Sequence, residues 1–262
     1  LIGKQGKIMR GVRGARWEPC FLLWYLKEMN SQHLNEKKSH LGVDYFEKMH
    51  IIKNRKEDEV AIMLIQFSFK NFKSFKNENC LDMEATSLKE HEYNIVKTEN
   101  GDYLKIAAIY GANASGKTNV LQAFSYMKKK VLVSDDSRIN NNLSEENIFT
   151  FMINNAPISL EVEILAENNK IYKYGFEVLN NAIISEWLYE KRVNKFYEIF
   201  DRTNNNIEVK DNKNKLLGLA NVDEKTLFLN VFAKIDKNNE DFNNVYNWFI
   251  DANYLDLGDP NF

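Results

Sequence analysis

Hydrophobic and polar residues begin to alternate regularly at Met63, and this alternation predicts β-strands. Met63–Phe72 alternates apolar and polar side chains, as a half-buried strand does. Leu81–Ala85 predicts another strand. The mostly apolar run Tyr103–Tyr110 ends at a glycine and is typical of a buried parallel strand.

The chain before Met63 has a different character. Residues 1–62 show weak periodicity and many lysines and arginines. We interpret 1–62 as an N-terminal extension, translated from upstream sequence, and 63–262 as the functional part of the chain. A genuine small helical extension is the alternative.

The pattern after residue 118 predicts a helix, an antiparallel meander and two closing helices. Apolar residues recur at helical spacing from Asn119, and the polar stretch Ser134–Asn147 predicts a loop. Alternating segments predict the strands of the meander at Ile158–Leu165, Ile171–Leu179, Ile183–Lys191, Lys195–Asp201 and Asn206–Lys210. One-sided apolar faces predict helices at Glu224–Ile235 and Phe242–Ile250.

Composition and charge restrict the function only weakly. A net charge of -2, with 44% hydrophobic and 27% charged residues, is ordinary for a globular protein and gives no overall attraction to nucleic acid. Cys20 and Cys80 lack metal or disulfide-framework spacing. The apolar run Cys20–Leu26 is too short for a membrane span and lacks a cleavage site, so we predict a cytoplasmic protein without a membrane segment.

One motif has specific chemistry. Gly111–Thr118 matches the P-loop pattern G-x-x-x-x-G-K-[ST] at every fixed position. An apolar strand is predicted before it and an amphipathic helix after it, which is the context that a P-loop requires. A glycine turn that merely caps a helix is the competing interpretation, and this context disfavours it.

Each residue type in the loop suits phosphate binding. Gly111 permits a tight turn and Gly116 leaves room for phosphate beside the backbone. Lys117 supplies a cation to the β- and γ-phosphates, and the Thr118 hydroxyl is a Mg²⁺ ligand. The sequence therefore predicts an ATP and Mg²⁺ site, whose binding residues are Gly111, Asn113, Ala114, Ser115, Gly116, Lys117, Thr118 and Asn119.

Other candidate sites are weaker. Lys128–Lys130 could touch phosphate, but a solvated helix end is the simpler interpretation. The alternating aromatic residues Tyr172, Tyr174 and Phe176 predict sheet core or interface rather than a base-stacking platform. The histidines show no metal-site spacing with the cysteines.

Several segments together resemble the AAA-type ATP-binding proteins with an ABC-like head, relatives of RecF, SMC and the overcoming-lysogenization-defect nucleases. These segments are Ile65–Phe75, Ile109–Asn119, Tyr172–Phe176 with Ser185–Tyr189, and Leu227–Phe249. The insert resembles that of a bacterial subgroup associated with phage defence. The resemblance implies an α/β fold: a P-loop NTPase lobe with a mixed sheet (63–133), an antiparallel meander insert (158–211) and C-terminal helices (223–250).

The same resemblance implies motifs that we do not find. Family members complete their site with an L-S-x-G signature loop and a Walker B strand that ends in Asp-Glu. Leu143–Glu146 lacks the glycine, and Tyr254–Asp259 ends in Gly-Asp. We therefore expect the chain to be truncated at its C-terminus, with the catalytic residues unknown. Glu161, Glu163 and Glu186 could substitute, but a solvated strand face explains them more simply.

Two functional hypotheses follow. The first is an ATPase head that couples ATP binding and hydrolysis to a nucleic-acid-directed or antiphage activity. The resemblance implies a homodimer formed through the nucleotide site, with DNA, RNA or a partner nuclease as the target. The alternative is a nucleotide-gated regulatory module that binds ATP without hydrolysing it.

Overall fold

The computed structural model describes residues 62–87, 92–109, 115–133, 156–210 and 222–252. Apart from Ala108, Ile109 and Ser115, these residues belong to one compact unit. The three exceptions belong to a second unit, whose other residues (16–60 and 110–114) lie outside the described ranges.

The described residues form nine strands and three α-helices. The strands are β1 (Met63–Lys70), β2 (Asn79–Asp82), β3 (Ile95–Thr98), β4 (Gly101–Leu104), β5 (Ile158–Leu165), β6 (Ile171–Leu179), β7 (Ala182–Arg192), β8 (Lys195–Thr203) and β9 (Asn206–Val209). The helices are α1 (Lys117–Leu132), α2 (Phe228–Ile235) and α3 (Glu240–Asp251), and a 3₁₀ turn spans Glu92–Asn94.

Seven strands form one sheet in the order β2-β1-β5-β6-β7-β8-β9, and every pairing in it is antiparallel. Strands β5 to β9 pair consecutively, which confirms the predicted meander. Strand β1 pairs with β5, with Phe67 opposite Val162 and Phe69 opposite Leu160. Strands from 63–133 and from 158–211 thus share one sheet, and the predicted division of the chain into domains stays a prediction.

The helices pack on one face of this sheet through aromatic contacts. Phe67 on β1 meets Phe124 on α1 at 5.3 Å, and Tyr174 on β6 meets Phe249 on α3 at 5.8 Å, both between ring centroids. Phe200 on β8 lies between α2 and α3. Such pairs contribute roughly 0.5–1.5 kcal/mol each beyond the area they bury. Tyr172, Tyr174 and Phe176 are fully buried, so their prediction as sheet core is confirmed.

The expected parallel strand at Tyr103–Tyr110 is wrong. Strand β4 ends at Leu104 and pairs antiparallel with β3, and Ile106 is 55% exposed. The Asn94 side chain accepts a hydrogen bond from the Ile106 N–H and donates one to its carbonyl, both at 3.0 Å. It therefore occupies the main-chain groups that a neighbouring strand would need. Tyr103 is buried against a separate apolar cluster with Leu165 and Ile171.

The helices agree with their predictions and differ at their boundaries. Helix α2 begins at Phe228 rather than Glu224, because Asp223 accepts hydrogen bonds from Lys225 and Thr226 and forms a turn there. Helix α3 begins at Glu240, where the Asn239 side chain caps it by accepting from the Phe242 N–H at 3.3 Å.

Three further predictions concern residues that the structure does not describe, or describes in part. Of the predicted extension 1–62, the structure describes Ile62 alone, and the predicted loop Ser134–Asn147 lies outside the described residues. The described part of the chain contains no helix that is both long and apolar enough to cross a membrane.

Candidate functional site

The last five residues of the predicted nucleotide site, Ser115–Asn119, are described, whereas Gly111–Ala114 are not. Gly116 immediately precedes α1 and has φ 89°. This left-handed conformation disfavours a side chain. A Cβ atom at Gly116 would also lie 2.8 Å from the Ser74 Oγ atom and 3.1 Å from the Phe75 Cζ atom. Both conformation and space therefore require glycine here.

Lys117, Thr118 and Asn119 form the first turn of α1, and this turn contains no acidic residue. The amino end of a helix has main-chain N–H groups without partners in the helix and a positive end of its dipole. No carboxylate in the first turn competes for these groups, so the sixteen-residue helix α1 presents an end suited to an anion. Thr118 is exposed at this end and Lys117 is half-buried.

A second segment, the turn Asn71–Phe75 after β1, contacts the start of α1. The Asn119 Nδ2 atom donates to the Ser74 Oγ atom at 2.8 Å. The Lys73 Nζ atom donates to the Gln122 Oε1 atom at 2.8 Å. In the sequence, N-F-K-S-F at residues 71–75 is identified only as part of the family resemblance. Nothing in it predicts that Lys73 and Ser74 lie beside the predicted nucleotide site. The packing of α1 against β1 and this turn brings the two segments together, and a single sequence does not reveal that packing.

Main-chain and side-chain bonds hold the turn in shape. Phe72 and Phe75 exchange two main-chain hydrogen bonds of 2.9 Å each. Asn71 is fully buried with φ 55°, and its Nδ2 atom donates to the carbonyls of Ala156 at 2.6 Å and Pro157 at 3.3 Å. Phe72 is fully buried against Tyr126 of α1, with ring centroids 5.8 Å apart.

The three glutamates considered as substitute catalytic acids have structural partners. The Glu161 Oε2 atom accepts a hydrogen bond from the Trp187 indole at 2.8 Å. Glu163 forms ion pairs with Lys173 and Lys191 at 3.9 and 3.5 Å. The described residues contain no group of three or more histidine, cysteine, aspartate or glutamate side chains arranged to hold a metal ion.

Glu186 departs furthest from the expected solvated strand face, because it is fully buried. Its two carboxylate oxygens accept hydrogen bonds from the main-chain N–H groups of Phe228 (2.6 Å) and Leu229 (2.9 Å), and one also accepts from the Tyr174 hydroxyl. Burial raises the pKa of the Glu186 carboxyl, whereas the Leu229 and Phe228 N–H groups and Arg202 lower it. Glu186 on β7 therefore caps the amino end of α2, and this role accounts for a carboxylate in the core of the protein.

The expectation that Lys128–Lys130 is a solvated helix end holds for Lys129, which is exposed, and is wrong for Lys130. The Lys130 side chain is buried, with 6% of the residue exposed. The pKa of Lys130 is lowered to about 8, chiefly by burial and also by the charge of Lys225, while Asp223 opposes the shift. The Lys128 Nζ atom donates to the carbonyl oxygen of Ala252 beyond α3. Lys128 thus joins α1 to the end of α3.

Comparison with protein families gives one finding. A family model described as "AAA domain, putative AbiEii toxin, Type IV TA system" matches residues 106–243, just over half of the chain. The matched range includes the P-loop motif, α1, the strands β5–β9, α2 and the start of α3. Comparisons with curated proteins and with solved structures give no match.

Proposed function

Because this chain belongs to the AAA domain family, whose members are nucleotide-binding P-loop ATPases, we propose that it binds ATP together with Mg²⁺ at Gly111 and Asn113–Asn119. The geometry of Gly116 is the single observation that supports this proposal most. Its left-handed backbone begins a sixteen-residue helix whose first turn contains Lys117 and Thr118. That arrangement suits the approach of phosphate to main-chain N–H groups.

The described residues suggest separate tasks. Lys117 neutralises charge on the β- and γ-phosphates, and the exposed Thr118 hydroxyl provides an oxygen ligand of the kind that Mg²⁺ prefers. When bound, Mg²⁺ would neutralise part of the negative charge on the phosphates. The N–H groups at the amino end of α1 orient the phosphates, and the helix dipole adds to the attraction.

For the wider function, we propose an ATPase head that couples nucleotide binding and hydrolysis to a nucleic-acid-directed or antiphage activity in the cytoplasm. A homodimer through the nucleotide site, and DNA, RNA or a nuclease as the partner, belong to this proposal. The resemblance of the P-loop region and the meander to ABC-like heads supports it.

The alternative is a nucleotide-gated regulatory module without hydrolysis. One observation favours it: Glu161, Glu163 and Glu186, the acids considered as substitutes for a Walker B pair, all have structural partners. Phosphate release in the presence of Mg²⁺-ATP separates the two proposals. Turnover that the substitution Lys117→Ala abolishes would support the ATPase. Because the family's signature loop and Walker B strand are not found in this chain, binding without turnover would support the module only if the downstream gene sequence also lacks an in-frame L-S-x-G and Asp-Glu continuation.

Titration calorimetry with ATP tests the site itself. Lys117→Ala should weaken binding both with and without Mg²⁺, since the main phosphate cation is lost. Thr118→Ala should weaken binding chiefly when Mg²⁺ is present. Lys129→Ala, an exposed lysine in the last turn of α1, is the matched control and should bind ATP as the wild type does. Unchanged affinity of Lys117→Ala would reject the proposed site.

A further inference from the structure

We infer that the turn Asn71–Phe75 is a positioning element for the nucleotide site, in which Ser74 holds the Asn119 side chain and thereby fixes the first turn of α1. The inference rests on the nucleotide binding proposed for that helix end. It gives Ser74, Lys73 and Asn71 a role in shaping the site without requiring that they touch the nucleotide.

The contact between Ser74 and Asn119 is the first step of the argument. Asn119 directly follows Thr118 and belongs to the same helical turn as Lys117. Its side-chain amide donates to the Ser74 hydroxyl at 2.8 Å, although the two residues are 45 positions apart in the chain. A bond from outside the helix restrains its amino end, which otherwise has the fewest main-chain hydrogen bonds.

The second step is the close approach at Gly116. The Ser74 hydroxyl and the Phe75 ring lie where a side chain of residue 116 would be. The turn therefore occupies the space beside Gly116 and restricts the paths that the chain can take into α1. Such support from a neighbouring segment preorganises a binding site.

The third step is a second contact between the turn and α1, three residues further along the helix. The Lys73 Nζ atom donates to Gln122 Oε1 at 2.8 Å. Positions 119 and 122 are three apart, so they lie on one face of α1. The turn thus holds α1 at two points on the same face, which resists both rotation and fraying of the helix end.

The fourth step concerns the support of the turn itself. Asn71 donates to the carbonyls of Ala156 and Pro157, the two residues before β5. Its backbone has φ 55°, a conformation that asparagine tolerates better than most residues. Asn71 therefore anchors the turn to the strand that pairs with β1, and the sheet supports the start of α1.

The test compares Ser74→Ala, which removes the acceptor, with Ser74→Thr, which keeps a hydroxyl. Calorimetry of Mg²⁺-ATP binding should show about two- to tenfold weaker affinity for Ser74→Ala, the range expected for one net hydrogen bond. Ser74→Thr should bind as the wild type does. Ser87→Ala, at another exposed serine, is the matched control.

Two readouts separate positioning from general destabilisation. The effect of Ser74→Ala should disappear in an Asn119→Ala background, because Ser74 acts through Asn119. Amide hydrogen exchange without nucleotide should be faster in the first two turns of α1 for Ser74→Ala and unchanged in the strands β6 and β7. Wild-type affinity and exchange in Ser74→Ala, or an equal loss in the Asn119→Ala background, would overturn the inference.

The exchange measurement also distinguishes the two possible failures. If the wild-type protein does not bind Mg²⁺-ATP, the proposed function fails. In that case, faster exchange in the first two turns of α1 for Ser74→Ala would still support the inference that Ser74 fixes this helix end. Unchanged exchange would overturn that inference as well.

Discussion

Glu186 and Arg202 form an ion pair in which both side chains are fully buried, with 3.6 Å between the Glu186 Oε2 and Arg202 Nη1 atoms. Arg202 also donates to the carbonyls of Asn204, Thr226 and Asp223. The pair therefore joins two strands of the sheet to the segment that leads into α2. A buried charge that loses its partner is costly, so this pair should be essential to the stability of the fold.

Glu186→Gln should lower the free energy of unfolding by about 3 kcal/mol, because it leaves the Arg202 charge buried without its counter-ion and weakens the cap of α2. Urea denaturation measures the loss. Glu208→Gln is the control, since the Glu208 side chain is 60% exposed and its ion pair is with the exposed Lys210. Equal stability of the two variants would contradict the assigned role of the buried pair.

Lys130 should make stability depend on pH. Its folded-state pKa is lowered to about 8 from 10.5, so between these values the unfolded chain binds more protons than the folded protein. Stability should therefore be lowest below pH 8 and rise as the pH increases. Relative to Lys130→Met, the wild type should gain about 2–3 kcal/mol between pH 7 and pH 10.

Denaturation curves at several pH values check this prediction. The difference between wild type and variant is the relevant quantity, because the raised pKa of Tyr126 and other buried tyrosines affects both proteins alike. Lys129→Met, at the exposed neighbouring lysine, should show the same pH dependence as the wild type. A constant difference between the wild type and Lys130→Met would refute the buried-lysine explanation.

Gly175→Ala should destabilise the sheet by about 1–3 kcal/mol through overpacking. A Cβ atom there would lie 2.4 Å from the Trp187 Cζ2 atom and 2.8 Å from the Leu160 carbonyl oxygen. Thermal unfolding measures the effect. Trp187→Leu removes the ring contact, together with the indole hydrogen bond to Glu161 whose loss the single variant measures, so the double variant should lose less stability than the sum of the two single variants. Additive losses would show that the indole is not what excludes the methyl group.

Gly116→Ala should weaken Mg²⁺-ATP binding by roughly tenfold or more, since a side chain at φ 89° is strained and meets Ser74. Gly101→Ala is the matched control, because Gly101 also has positive φ (140°) but is the first residue of β4. Both substitutions should lower the melting temperature, and only Gly116→Ala should alter affinity. Loss of affinity in both variants would point to a global effect instead.

The sequence by itself determined the features that depend on local pattern. Alternation predicted the meander from β5 to β9 because side chains in a strand face opposite sides in turn. The spacing of Val120, Phe124 and Val131 predicted α1 because these residues share one helix face. The P-loop match at residues 111–118 identified a member of a nucleotide-binding family, since the glycines, lysine and threonine are close together in the chain.

Only the tertiary structure decided what depends on contacts between distant segments. The packing of α1 against β1 and the turn that follows it brings Ser74 to Asn119, and no local pattern encodes a contact across 45 residues. By its sequence pattern Glu186 is expected on a solvated strand face. In the structure α2 packs over it, and its carboxylate caps that helix. Within the strand expected at Tyr103–Tyr110, the Asn94 side chain takes both main-chain hydrogen bonds of Ile106 and leaves none there for a neighbouring strand. In each case the chain alone specifies the chemical groups, and the packing of remote elements specifies their partners.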